Sequence, residues 1–344
     1  MNVLSLFDGM SCGQIALERA GIKVDNYYAS EIDKFAIQVT QKNYPNTKHI
    51  GDVTKVKGID FPKIDLIIAG SPCQGFSFAG KQLAFEDPRS VLFFEFIRIL
   101  KECRKLNPNI KFLLENVRMK KEYEKVITDF VGVQPQMICS SIFTAQQRKR
   151  LYWSNISTIK RLDNLDYTNF CLPNDKGLKL IDILENSKNK FAVEVSKQKR
   201  NGTHILESAF TGKSNSLTTF AHNSMVGIFP IDDSFYLNDD QVKKSKKYKQ
   251  AKTFKTGNSR GSMPFPNNLN WKSLCLTTTN GGSRVVNFVD DGFGVRRLIP
   301  IEWERLQTVP ENYTDCVSNS QRYRMLGNGW TVDVIAHIFK NIKL

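Results

Sequence analysis

No two cysteines of this chain form a CxxC pair, and histidine occurs only four times. That leaves little with which to build a structural zinc site, which takes four Cys or His ligands at close spacings. The cysteines number seven, an odd and scattered set, so no disulfide framework is expected. A reducing, cytoplasmic setting is the plain expectation. No apolar run is long enough for a membrane span, and no membrane partner is expected. The opening MNVLSLFDGM lacks the basic segment and long apolar stretch of a secretory leader. The GxGxxG fingerprint of dinucleotide folds is missing too, which argues against a pyrophosphate-bearing cofactor. Acidic residues are few for this composition: 34 Asp and Glu stand against 49 Lys and Arg, a net charge of +15. Such an excess favours a polyanionic partner through counterion release, although a merely soluble basic protein carries it as well.

What is present begins with an alternation. Short apolar runs at 2–7, 24–31, 64–69, 111–117, 135–143 and 150–156 read as strands. Segments of helical period at 12–21, 33–44 and 90–106 lie between them. Strands separated by helices of this length predict an α/β fold with a doubly wound, mostly parallel sheet. The texture changes near residue 160, where Lys, Asn, Ser and Thr take over, and 243–262 reads as a solvated loop. SNSLTTFAHNS (214–224) and KSLCLTTTNGGS (272–283) form a weak internal echo of short β-type runs. The predicted domains are 1–160, a loop-rich β-type unit over 161–294, and a segment 295–344 that returns to the first. RRLIPIEWERLQ (296–307) and TVDVIAHIFKNI (331–342) read as its helices.

Ligands of such sheets bind beyond the C-terminal ends of the strands. FDGMSCG (7–13) occupies that position after the first strand, and Gly9 and Gly13 permit a close backbone approach. Glu31 ends the second strand at the spacing used by carboxylates that hold ribose hydroxyls, and Asp52 in HIGDV fits the end of another. A nucleotide-like cofactor without phosphates suits this set. Cys73, in GSPCQGFSFAG (70–80), follows the apolar run IDLIIA and so falls at the same edge. A free thiol is mostly protonated at neutral pH, and a nucleophile here needs cationic neighbours. Arg148 and Arg150 in QQRKR supply candidates, and Glu115 ends a further strand in LLENV. Taken singly, Cys73 reads equally as a small buried hydrophobe, Glu115 as a surface acid and the arginines as a solvated run.

Together these segments resemble the cytosine-5 DNA methyltransferases. The resemblance rests on FDGMSCG, GSPCQGFS (70–77), ENV (115–117), QQRKR (146–150), RRLIPIEWERLQ and RMLGNGW (324–330), in that order, over about 1–160 and 295–344. The catalytic half is similar to the eukaryotic de novo type, in a short chain of bacterial or phage style. The resemblance implies methyl transfer from S-adenosylmethionine to carbon 5 of a cytosine flipped out of duplex DNA. It assigns Cys73 the attack on carbon 6, and Glu115 the contacts to ring nitrogen 3 and the amine. Arg148 and Arg150 would stabilise the thiolate and hold the base carbonyl. For the cofactor it implies Phe7, Asp8, Gly9, Gly13, Glu31, Ile32, Asp52, Asn328 and Trp330, with no metal. Glu302 and Arg297 would form a structural contact. Segment 161–294 would be the target-recognition domain, its Lys197, Lys199, Arg200 and Arg284 meeting phosphates. The loop after Cys73, with Gln74, Gly75, Ser77 and Gly80, would close over the base. A monomer is expected. A transfer-RNA cytosine methyltransferase and a catalytically silent DNA-binding homologue are the competing readings.

Overall fold

The computed structural model describes residues 1–71, 91–185, 193–200, 203–210, 235, 272–276, 288–290 and 295–343. Cys73, Gln74, Gly75, Ser77, Gly80, Arg284, the 243–262 stretch and the 214–224 half of the echo lie outside them.

The first half alternates as its pattern predicts: β1 (Asn2–Leu6), α1 (Cys12–Arg19), β2 (Asn26–Ser30), α2 (Lys34–Asn43), β3 (Lys48–His49), β4 (Leu66–Gly70), α3 (Val91–Leu106) and β5 (Lys111–Val117). Then come α4 (Lys121–Val131), β6 (Gln136–Cys139), β7 (Gln146–Gln147) and β8 (Lys149–Ser154). Seven strands form one sheet in the order β3-β2-β1-β4-β5-β8-β6. β3 through β5 pair in parallel, whereas β8 runs antiparallel to both β5 and β6. The strand order reverses at β1–β4, the place where open α/β sheets leave a crevice for ligands.

Alternation along the strands divides two cores between the faces of the sheet. Val3, Ile68 and Leu113 face one core, shared with α1 and with α7 (Val332–Phe339). Leu4, Leu6, Ile67, Phe112 and Leu114 face the other, filled by Phe93, Phe96 and Leu100 of α3. α7 thus returns from the far end of the chain, burying Val332, Ile335, Ile338 and Phe339. The first core runs past residue 160: Phe170, Leu180, Ile183 and Leu184 pack in it. The hairpin β9 (Thr158–Lys160) and β10 (Asp166–Thr168) also attaches here, through a bridge from Gln134 to Tyr167.

Between 193 and 297 the structure describes the antiparallel pair β11 (Val193–Arg200) and β12 (Thr203–Phe210), which carries Lys197, Lys199 and Arg200 on β11. It also describes β13 (Ser273–Leu274), parallel to β7, and β14 (Phe288–Asp290), antiparallel to β15 (Val295–Arg297). One expected helix is corrected here. RRLIPIEWERLQ is not helical throughout: Arg296 and Arg297 lie in β15, and α5 spans Pro300–Leu306. Proline explains the boundary. It lacks an N–H and suits the first helical turn, while Ile299 before it stays extended at φ −79° and ψ 162°. α6 (Asn319–Asn328) and α4 complete the described helices.

The expected contact between Glu302 and Arg297 is also corrected. Glu302 pairs with Arg296, with nitrogen–oxygen distances of 2.8 and 2.9 Å, and both side chains are fully buried. Neighbouring strand residues point to opposite faces, so only one of the two arginines can turn inward.

Candidate active site

Strand register decides which residues meet. Leu6 pairs with Ser30 and Ala69, and Gly70 pairs with Glu115. The residues that follow β1, β2, β4 and β5 therefore emerge side by side. β8 runs the other way, so its first residues, not its last, reach this edge, with Arg150 opposite Val117. A cavity of about 600 Å³ opens there, and the loop after α6 closes its far wall with Asn328 and Trp330.

The first loop forms one wall. Phe7, Gly9 and Ser11 all have φ near 60°, a left-handed conformation that needs outside support in the two non-glycine residues. Asp8 supplies it. Its carboxylate accepts from Ser5 Oγ at 2.6 Å, from Tyr27 OH at 2.7 Å and from Ser11 Oγ. Burial pushes the Asp8 carboxyl up to about 6, against the pull of these hydrogen bonds. Glu31 is held just as firmly. Oε2 accepts from Gly9 N at 2.7 Å, and Oε1 accepts from Ile32 N and Asp33 N at 2.8 Å. Ile32 projects from the rim, 77% exposed, an apolar side chain without a cover.

Two expected cofactor residues stand elsewhere. Gly13 is buried inside α1, and a Cβ there would come within 2.3 Å of Ile68 Cδ1, so the glycine serves the close packing of helix on sheet. Asp52 caps a short turn, accepting from Thr54 N at 2.9 Å, and is not among the residues lining the cavity. The Thr54 hydrogen bonds, backbone first, draw its carboxyl below the usual range.

The opposite wall carries the charges. Glu115 is 8% exposed. Arg150 Nε lies 2.9 Å from its Oε1, and Trp330 Nε1 donates to Oε2 at 3.1 Å. Arg148 does not share this arrangement. Only 5% exposed, it donates to the carbonyls of Leu276 at 3.3 Å, Gly327 at 3.2 Å and Gly329 at 3.0 Å. Gly327 lies in the last turn of α6, where carbonyls lack helical partners and a cation is favoured. Gln307 Nε2 adds bonds to Leu326 O and Gly329 O. The two arginines of QQRKR thus do different work: Arg150 meets the carboxylate, and Arg148 pins the GNGW loop and residue 276 to the sheet.

Cys275 was not singled out by the sequence, yet its Sγ lies 3.4 Å from Arg148 and 3.7 Å from Arg150. Burial raises its pKa, but the two guanidinium charges outweigh that and leave the thiol below its ordinary value. No sequence pattern marked it beyond the β-type run around it. Cys12, which also lines the cavity, has its thiol pushed up to about 12 by burial. Among the described residues no Cys, His, Asp and Glu group is arranged to hold a metal, and no helix is long and apolar enough to cross a membrane.

A ligand crevice at the switch point of a mostly parallel sheet, with one wall of loop backbone and carboxylate and another of carboxylate and arginine, fits the S-adenosylmethionine-dependent methyltransferase fold. Known proteins agree. The C-5 cytosine-specific DNA methylase family matches residues 1–344. The Type II methyltransferase M1.ScrFI of Lactococcus lactis subsp. cremoris is 29% identical over 344 residues, covering 97% of this chain and 75% of the relative. M.NlaX of Neisseria lactamica is 27% identical over 347 residues, covering 99% and 96%. Among solved structures, the Dnmt2 methyltransferase of S. pombe superposes with a TM-score of 0.60 at 17% identity, covering 98% and 97%. The EhMeth methyltransferase of Entamoeba histolytica gives 0.64 at 15%, covering 100% and 99%. These two likenesses bear on the fold. The chain belongs to the C-5 cytosine-specific DNA methylase family and is a cytosine-5 DNA methyltransferase.

Proposed function

We propose that this enzyme methylates carbon 5 of a flipped-out cytosine in duplex DNA, with Cys73 as nucleophile and Glu115 and Arg150 as the groups that hold the base. The observation that carries the reading is the arrangement of Glu115, Arg150 and Trp330 at one end of the cavity whose other end is formed by Phe7, Gly9 and Glu31. Ser71 lies at this edge, its Oγ accepting from Asn116 Nδ2 at 3.1 Å.

The cavity fits the cofactor that the family and fold imply. Glu31 has a carboxylate fixed by backbone N–H groups and still has accepting capacity for ribose hydroxyls. Ile32 offers the uncovered apolar surface an adenine ring would pack on, and Asn328 and Trp330 close the methionine end. Phe7, Asp8 and Gly9 shape the remaining wall. When bound there, S-adenosylmethionine supplies a methyl group made electrophilic by its sulfonium.

Each group in the chain then has a task. The Cys73 thiolate adds to carbon 6 and makes carbon 5 nucleophilic. Glu115 delivers a proton to ring nitrogen 3 as negative charge develops on the ring, and accepts a hydrogen bond from the exocyclic amine. Arg150 orients Glu115 and lies close enough to the same end to meet the base carbonyl. After methylation, the carbon 5 proton passes to water, the Cys73 thiolate leaves carbon 6, and ring nitrogen 3 returns its proton to Glu115. Arg148 acts one step back, holding the loop that shapes the cavity. The unit over 161–294 reads the target, with Lys197, Lys199, Arg200 and Arg284 toward phosphates, and residues 295–344 complete the first unit. The enzyme works as a monomer in the reducing cytoplasm, where its six described cysteines stay free. Cys73→Ala and Glu115→Gln test the assignment. Both variants should retain S-adenosylmethionine and DNA binding while losing turnover by at least about a hundredfold. A Cys73→Ala enzyme that turns over normally would remove the nucleophile from the scheme.

A further inference from the structure

We propose that Trp330 is a positioning residue for Glu115, fixing its carboxylate before a base arrives. The inference rests on the reading of Glu115 as the group that meets the cytosine ring. The terminal torsion of a glutamate is broad, and a single ion pair leaves the carboxylate plane free to turn. Here the two oxygens have different partners from different parts of the chain: Arg150 Nε forms an ion pair with Oε1 at 2.9 Å, and Trp330 Nε1 donates a hydrogen bond to Oε2 at 3.1 Å. Each oxygen keeps a lone pair, so the plane is set and the site can still accept from an amine. An indole N–H suits this task because it donates only and cannot take the proton or compete as an acceptor.

The strand beside Glu115 is built to admit the indole. Gly70 is its register partner on β4. A Cβ at Gly70 would lie 2.9 Å from Trp330 Nε1, 3.4 Å from Cε2 and 3.5 Å from Glu115 Oε2, within the space the contact occupies. Gly70 has no left-handed φ, so conformational freedom is not what the position requires; room is. Trp330 itself is placed by the clamp on its preceding residue, Gly329, whose carbonyl accepts from Arg148 and Gln307. The loop that closes the methionine end of the cavity therefore also sets the angle of the group at the base end.

The test uses two variants that break the contact from opposite sides. Trp330→Phe keeps an aromatic ring and removes the donor. Gly70→Ala keeps the donor and displaces the ring. For each, the single-turnover rate of methyl transfer to duplex DNA is measured at saturating S-adenosylmethionine, with the cofactor Kd measured by calorimetry. The rate should fall about tenfold in both, the worth of one hydrogen bond to a charged group. Cofactor Kd rises as well, since Trp330 lines the cavity, but saturating S-adenosylmethionine removes that effect from the transfer rate. In a Glu115→Gln background, Trp330→Phe should cost less than about twofold more, because the pair acts as one unit. The proposal is overturned if either variant transfers at the wild-type rate, if the loss appears only in cofactor Kd, or if Trp330→Phe costs its full tenfold without the carboxylate. A Glu115→Gln enzyme at the wild-type rate would instead overturn the underlying reading of Glu115, and this inference with it.

Discussion

Replacing Arg148 by Met tests the division of labour between the two arginines. Methionine keeps most of the length and removes the charge and the donors. In the wild type the guanidinium serves three carbonyls, those of Leu276, Gly327 and Gly329. Gly329 O would retain its bond from Gln307 Nε2 at 3.1 Å and Leu276 O its bond from Cys275 Sγ at 3.4 Å, so Gly327 O is the one carbonyl of the three left without a side-chain donor. Each buried acceptor left without a donor costs about 1–3 kcal/mol, partly offset because a cation no longer has to be buried. The net expectation is a loss of about 2 kcal/mol, which lowers Tm by about 3 °C for a chain of this size. The released loop carries Asn328 and Trp330, both on the cavity wall. Affinity for S-adenosylmethionine should therefore fall at least about tenfold, equivalent to 1.4 kcal/mol. Scanning calorimetry and titration calorimetry on the same preparation read both effects. An Arg148→Met protein that melts within about 1 °C of wild type and binds cofactor normally, yet transfers no methyl group, would refute the clamp. The guanidinium would then act on the base directly.

Other consequences follow from buried charge. Glu302→Leu leaves Arg296 fully buried without its carboxylate, and should cost about 3–5 kcal/mol in urea unfolding. Adding Arg296→Met should recover most of that loss, and an unaffected single variant would contradict the pairing. Asp8 sets a pH dependence. Its carboxyl is raised from 3.8 to about 6 in the folded protein, so the native state binds the proton more tightly than the unfolded chain. The associated stability is complete below about pH 4 and is lost as pH rises through about 6. Across that window the Tm of the wild type should fall relative to that of Asp8→Asn, whereas parallel curves would show that the carboxyl is not buried as described.

Much of this was legible in the chain because strand ends announce themselves. FDG, Glu31 and ENV each stop an apolar run, and in a parallel sheet every such stop lies at one edge. The terminal amphipathic helix was legible from Val332, Ile335, Ile338 and Phe339, whose spacing marks one face. What could not be read was direction and side. QQRKR spans β7 and the start of β8, and only the antiparallel course of β8 brings Arg150 to Glu115. Arg148 and Arg150 look equivalent in sequence, yet one meets a carboxylate and the other three backbone carbonyls. Arg296 and Arg297 are adjacent, and which of them faces the interior depends on the pleat of β15. Gly13 and Gly70 illustrate the same limit. Gly13 reads as a point of close backbone approach to a ligand and Gly70 carries no signal of its own, yet each leaves space for a particular side chain. Cys275 joins the site only through contacts with residues more than a hundred positions away.

The most direct test of the central claim is methyl transfer from labelled S-adenosylmethionine to unmethylated duplex DNA, with total transfer RNA offered in parallel and the product base identified by mass spectrometry. Label on carbon 5 of DNA cytosine, absent from the Cys73→Ala reaction, is the predicted result. Label confined to RNA, or present in DNA with Cys73→Ala as with wild type, would contradict it.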